Sequence, residues 1–217
     1  MNTTTIFKNL NFEELYREAI ELTLSRNDSY IKSYPEFINY FKRIDSITEH
    51  NLVISSHFVY GWMPTIINLN IQDKKLVLDL LNKVKSNEIL NQEQLEELKK
   101  VINNSTVGLS KLLHFINPKY YVIWDSRIYR YLTDRKSQYG IGDASKYIQY
   151  IEDIKNIISH PNYKSMHNIV IEKLGYDVEP TRVIELIMFQ ADRKKQQLGQ
   201  REPFNGMSPD KVSFESQ

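Results

Sequence analysis

The sequence predicts an all-α protein, and three observations carry that prediction. Only 7 Gly and 7 Pro stand in 217 residues, too few for a loop-rich β protein. Apolar residues recur at helical spacing in one segment after another. Polar–apolar alternation is missing, and the one extended apolar run, Tyr120 to Trp124, is too short to build a sheet.

Each element has its own reason. Residues 1–10 read as a short lead-in. A helix over Phe12 to Arg26 turns Phe12, Leu15, Ala19 and Leu22 inward, with Leu24 a further candidate and Asn11 as its cap. Pro35 to Ile44 reads as a short helix with Pro at its start, where the missing N–H costs nothing. Glu49 to Ile67 is the most apolar stretch. It reads as a central buried helix broken near Gly61-Trp62-Met63-Pro64, because Pro removes a donor. Gln72 to Lys85 has an apolar stripe of Leu76, Leu80 and Leu81. Gln92 to Asn103 has one of Leu95, Leu98, Val101 and Ile102, with Glu93, Glu96, Glu97, Lys99 and Lys100 as a solvated face.

Gly108 to Ile116 is the next helix, with Leu109, Leu112, Leu113 and Ile116 on one stripe. At roughly 100° per residue, Lys111 falls opposite that stripe, His114 on its polar flank, and Phe115 one turn from Lys111. Asn117-Pro118 stops it. The buried-looking run Tyr120 to Trp124 follows, and Asp125 is the N-cap of a helix starting near Ser126. Thr133 to Asp143 is a polar loop with Gly140 and Gly142, a plain surface loop or one that closes over a ligand. Ala144 to Ile158, Ser165 to Leu174 and Pro180 to Asp192 complete the helices, the last with Val183, Ile184, Ile187 and Met188 inward. Residues 194–217 lose apolar periodicity and read as a flexible tail. That leaves 1–193 as one helical domain, or two lobes with a cleft.

Composition narrows the function classes. The absence of Cys excludes a disulfide framework, a Cys nucleophile and a thiolate metal or iron–sulfur site. The His residues make no metal-ligand spacing, and no phosphate-binding or dinucleotide loop is present, so neither metal nor cofactor is expected. No secretion signal or membrane-length apolar run is visible, so a cytoplasmic protein without membrane contact is the expectation. The net charge of +1 provides no global field for a polyanion, so a nucleic-acid site must be a local patch. Between Lys119 and Lys136, five cationic residues stand against two acidic ones, an excess of three. The 14 Tyr supply rings for a core or for stacking on bases.

The chemistry concentrates in STVGLSKLLHFINPKYYVIWDSRIYRYL, Ser105 to Leu132. Here an amine, a carboxylate and two guanidinium groups lie within one reversal of the chain. This stretch resembles the core of the helix-hairpin-helix DNA glycosylases, the superfamily of 8-oxoguanine DNA glycosylase and endonuclease III. Val107-Gly108 matches the Val-Gly of their hairpin, and Lys111 falls where their catalytic lysine is expected. Trp124-Asp125-Ser126-Arg127-Ile128-Tyr129-Arg130 matches their aspartate segment. Asn104-Ser105-Thr106 replace the Leu-Pro-Gly half of the hairpin, and the lysine-to-aspartate connection is shorter.

The resemblance implies a two-lobed helical glycosylase-like fold with a degenerate hairpin. It also implies a monomeric base-excision enzyme, of repair or of anti-phage defence, acting on DNA by base flipping, with or without lyase activity. Lys111 would be the nucleophile, against the plain alternative of a solvated helix lysine. Asp125 would be its carboxylate partner as well as a cap. Gly108, Ser110, Arg127 and Arg130 would meet the DNA backbone, unless the two arginines only solvate their helix. His57, Tyr60, Trp62, Phe115 and Trp124 would line a base pocket, or else belong to the core. Two non-enzymatic readings stand beside this one: a DNA- or nucleotide-binding module, and a protein-interaction domain.

Overall fold

The computed structural model describes residues 7, 10–25, 27–62 and 66–199. Among them are ten helices and no strand: α1 Phe12–Glu21, α2 Ser29–Lys42, α3 Glu49–Trp62, α4 Lys74–Lys85, α5 Gln92–Val101, α6 Thr106–Ile116, α7 Ser126–Thr133, α8 Ala144–Ile158, α9 Tyr163–Leu174 and α10 Pro180–Gly199. The fold class is all-α, as the periodicity predicts. Most of the lead-in, the predicted break at Met63-Pro64 and the chain from residue 200 onward lie outside the described residues.

Most helices start where the sequence places a cap. The side chains of Asn11, Asp28, Asp73, Asn91, Ser105, Asp125 and Asp143 accept first-turn N–H groups. Asn91 and Gln94 form a reciprocal capping box. The C-terminus of α1 is closed from a distance. Lys173 of α9 donates to the carbonyls of Ala19, Ile20 and Leu22, so the helix stops at Glu21 rather than running to Arg26.

Several boundaries and faces differ from expectation. Helix α2 begins six residues before Pro35, which therefore lies inside it. A proline there has no N–H for the carbonyl four residues earlier, that of Ile31. The Tyr176 hydroxyl donates to that carbonyl at 2.8 Å, so a side chain restores the bond the ring removed. Tyr176→Phe is expected to cost about 1 kcal/mol of stability. The cost is smaller in a Pro35→Ala background, where a backbone N–H can answer Ile31, and urea unfolding of the four proteins measures the coupling.

Helix α3 is covered on one side only rather than wholly buried. Leu52, Val59 and Tyr60 face the core while Val53, Ile54 and His57 face solvent. In α4, Val77 and Val84 join Leu80 and Leu81 in the core, and Leu76 is exposed. Helix α10 continues to Gly199 instead of giving way to a tail at 194, and Lys194 and Lys195 pair with Glu21 and Asp134.

Helices α5 and α6 are joined by a tight reversal in which Asn103 and Asn104 take φ of 51° and 48°. Asparagine tolerates this left-handed region, so the turn closes without glycine. Asn103 also ties the reversal to the segment after α3, donating from its amide to the Ile66 carbonyl at 2.9 Å.

The run from Tyr121 to Trp124 is extended and completely buried, yet it pairs with no strand. Its carbonyls are answered by side chains. His114 Nδ1 bonds Tyr121 O at 2.7 Å, Tyr147 OH bonds Val122 O at 2.9 Å, Tyr150 OH reaches Ile123 O at 3.4 Å, and Ser110 Oγ bonds Trp124 O at 3.0 Å. Buried backbone must find partners, and here helices α6 and α8 supply them. The run is thereby pinned to α6, and its position sets where Asp125 begins α7. Helix α10 packs against α7, α1, α8 and α9, which carries its middle turns over the α6–α7 junction.

Candidate functional site

A cavity of about 470 Å³ opens at this junction. Its volume lies in the range of roughly 300–1,000 Å³ usual for small-molecule sites. Lys111 of α6 and Asp125, Ser126 and Arg127 at the start of α7 form one wall. Arg182, Glu185, Leu186, Phe189 and Arg193 of α10 line the cavity as well. Trp62 at the end of α3, Asp28 and Tyr30 at the start of α2, and Gln138 and Ile141 of the Thr133–Asp143 loop are among the other residues that line it.

Lys111 is not a solvated helix lysine. It is 8% exposed and its Nζ lies 3.7 Å from Asp125 Oδ2, with the Trp62 ring centroid 5.9 Å away. The pattern of apolar residues on α6 places Lys111 opposite Leu109 and Leu112, but that side is covered too: all of α6 except Val107 is buried. Asp125 divides its two oxygens. Oδ1 accepts from the N–H of Arg127 and Ile128 at 2.9 and 3.0 Å, capping α7, while Oδ2 turns to the ammonium. Cap and site residue are therefore one side chain.

Helix α10 contributes a charged pair that was not singled out in the sequence. Arg182 and Glu185, 4% and 2% exposed, form an ion pair one helical turn apart. The guanidinium also stacks over Tyr34 at 4.5 Å and approaches the Trp62 ring at 5.8 Å. Burial pushes the Glu185 carboxyl up to about 7, against the downward pull of Arg182. A signal for the pair exists in the sequence. Arg182, Glu185, Phe189 and Arg193 follow helical spacing beside the apolar face Val183, Ile184, Ile187 and Met188, so charges occupy positions flanking a core stripe.

Behind the site, His114 is fully buried rather than on a polar flank. Its Nδ1 faces the Tyr121 carbonyl, which can only accept, so Nδ1 carries the proton and Nε2 accepts from Tyr34 OH at 2.8 Å. Burial lowers its pKa to about 3, which keeps the ring neutral. The chain Tyr121–His114–Tyr34 thus holds the aromatic shelf on which Arg182 rests.

The remaining expected site residues divide. Trp62 and Arg127 line the cavity, and Arg127 stacks on Phe189 at 5.2 Å. Arg130 does not line it; its Nε and Nη2 grip Asp192 at 3.0 and 2.7 Å, joining α7 to α10, so its fork is occupied. Arg127 shares the same carboxylate at 3.3 Å.

Gly108 and Ser110 are buried and make no backbone-gripping surface. The Gly108 N–H is taken by Ser105 Oγ at 3.1 Å, and Ser110 Oγ is spent on Trp124. Gly108 has a different use. A Cβ there would lie 2.3 Å from the Tyr60 hydroxyl, so the absence of a side chain lets α3 approach α6. Tyr60, Phe115 and Trp124 are core residues: Phe115 packs on Trp62, Phe37 and Tyr34, and Trp124 donates its indole N–H to Ile141 O at 2.8 Å. His57 faces solvent and bonds Val53 O, away from the cavity. Three of the five expected pocket rings are therefore packing residues and one is a surface residue. Tyr30 and Phe189 line the cavity in their place.

No group of His, Cys, Asp and Glu among the described residues could hold a metal ion, and no described helix is long and apolar enough to cross a membrane. Comparison with protein-family models, with curated proteins and with solved structures gave no match to this chain.

Proposed function

We propose that this chain is a DNA glycosylase with lyase activity, excising a modified or damaged base that is turned out of the duplex into the α6–α7–α10 cavity. The observation that supports it is the convergence of Lys111 and Asp125, fourteen positions apart, on one hollow that also presents the Trp62 ring. A buried amine beside a carboxylate is the pair that attack at a sugar carbon needs: the amine forms the bond and the carboxylate takes its proton. Where the carboxylate instead keeps its charge, it stabilises positive charge developing on the sugar. Trp62, Tyr30 and Phe189 offer faces for a flat base. Arg127 and Arg193, on the cavity wall and each paired with a carboxylate, stand where flanking phosphates would compete for them.

Borohydride trapping tests the reading. The full chain is incubated with duplex oligonucleotides carrying an abasic site, 8-oxoguanine, hypoxanthine, uracil or 5-hydroxymethylcytosine. A covalent adduct that disappears in Lys111→Gln is the expected result. Base loss without an adduct would retain the glycosylase but remove the lyase. DNA binding without either product would make the chain a binding module, and no binding at low salt would end the nucleic-acid reading.

A further inference from the structure

Three carboxyl groups line this cavity; Asp28 is taken up by the cap of α2 and by Arg193, and the other two stand in unlike surroundings. Asp125 is held by two backbone N–H groups and turns its second oxygen to Lys111. Glu185 has Arg182 as its hydrogen-bonding partner and is buried at 2% exposure. The charged and titratable groups that act on Glu185 are Arg182 on its own helix, Lys111 of α6, Asp125 at the head of α7, Tyr34 of α2 and Tyr150 of α8; α1 and α9, which also pack on α10, contribute none. A base cannot leave as a bare anion at low cost in such a site, so it needs a proton as its bond breaks. Asp125 is committed to the cap and to the amine, whereas Glu185 lines the same cavity from α10, beside a cation that can answer its charge.

On the glycosylase reading above, we propose that Glu185 is the acid that protonates the departing base, and that Arg182 holds the carboxylate so formed. The electron pair of the bond between the sugar C1′ and the base nitrogen passes to the base, which takes the Glu185 proton and leaves neutral. The lone pair of the Lys111 amine, whose proton has gone to Asp125, closes on C1′. The negative charge created on Glu185 lies beside Arg182, and the positive charge created on the Lys111 nitrogen balances it, so the total is unchanged. The burial that raises the Glu185 pKa to about 7 keeps this proton available near neutral pH.

The test measures single-turnover excision from whichever base-bearing duplex the wild type cuts, from pH 5.5 to 9, beside trapping at a preformed abasic site, where no base has to leave. Wild-type excision should fall as pH rises through about 7, where Glu185 loses its proton. Glu185→Gln should lower excision by about a hundredfold or more and flatten that fall. The ratio of excision to trapping should drop at least tenfold, and Glu185→Asp should restore part of the falling limb. Excision in Glu185→Gln within a few-fold of wild type, an unchanged pH limb, or equal losses of excision and trapping would each overturn the assignment. A wild type that neither excises nor traps would overturn the glycosylase reading itself and this inference with it, an outcome distinct from an active wild type indifferent to Glu185.

Discussion

Asp125→Asn is expected to lower base excision by roughly a thousandfold while leaving the fold intact. The two oxygens of Asp125 have separate duties. Oδ1 caps α7 through Arg127 and Ile128, and asparagine is as good an N-cap as aspartate. On the glycosylase reading, Oδ2, which faces Lys111 at 3.7 Å, takes the proton of the attacking amine. Asparagine keeps the first duty and loses the second. Asp125→Ala loses both, with a further drop of about 1 kcal/mol in stability from the missing cap. Rates under single turnover, compared with urea melts of the three proteins, separate the roles. An Asp125→Asn protein that excises at the wild-type rate would reduce the residue to a cap.

Arg182→Met should destabilise the protein by roughly 3–5 kcal/mol, the scale for stripping one partner from a buried ion pair. Arg182 holds Glu185 and lies over Tyr34, so its loss leaves a buried carboxyl without a cation and an aromatic shelf without its cover. The defect should depend on pH. Glu185 ionises at about 4.5 in an open chain and about 7 in the folded protein, and higher still without Arg182. A folded-state pKa above the unfolded value means stability that is full below about 4.5 and is lost as pH rises through the folded value. The deficit of Arg182→Met relative to wild type should therefore be mild near pH 5 and largest near pH 8, and Glu185→Gln in the same chain should remove most of that slope. Chemical unfolding at both pH values measures it. A deficit that does not change with pH would mean that the guanidinium acts through packing alone.

What could be read from the chain and what could not divides along physical lines. Helix starts were legible because a cap is a local event. Asn11 and Asp125 each sit next to the N–H groups they satisfy, and no distant residue is needed to make them caps. Helix ends were less legible where closure comes from afar. No residue near Glu21 announces that Lys173 will take its last carbonyls, and the start of α2 was misplaced at Pro35 because nothing near it announces that Tyr176 answers the Ile31 carbonyl. The aromatic residues misled for a similar reason. Ring type marks a residue as able to stack, but whether Phe115 and Trp124 stack on a ligand or on Trp62 and Tyr150 depends on which side of the run is covered.

The sequence by itself determined that the chain is helical, where most helices begin, and that an amine and a helix-opening carboxylate lie close along the chain at Lys111 and Asp125. These follow from periodicity and capping, which act over a few residues. Only the tertiary structure decided that the two face each other across 3.7 Å, that α10 closes the space above them, and that Arg182 and Glu185 meet them there. Burial is a property of all the elements that cover a residue, so the Lys111–Asp125 and Arg182–Glu185 pairs came about only when helices distant in the chain excluded water from around them.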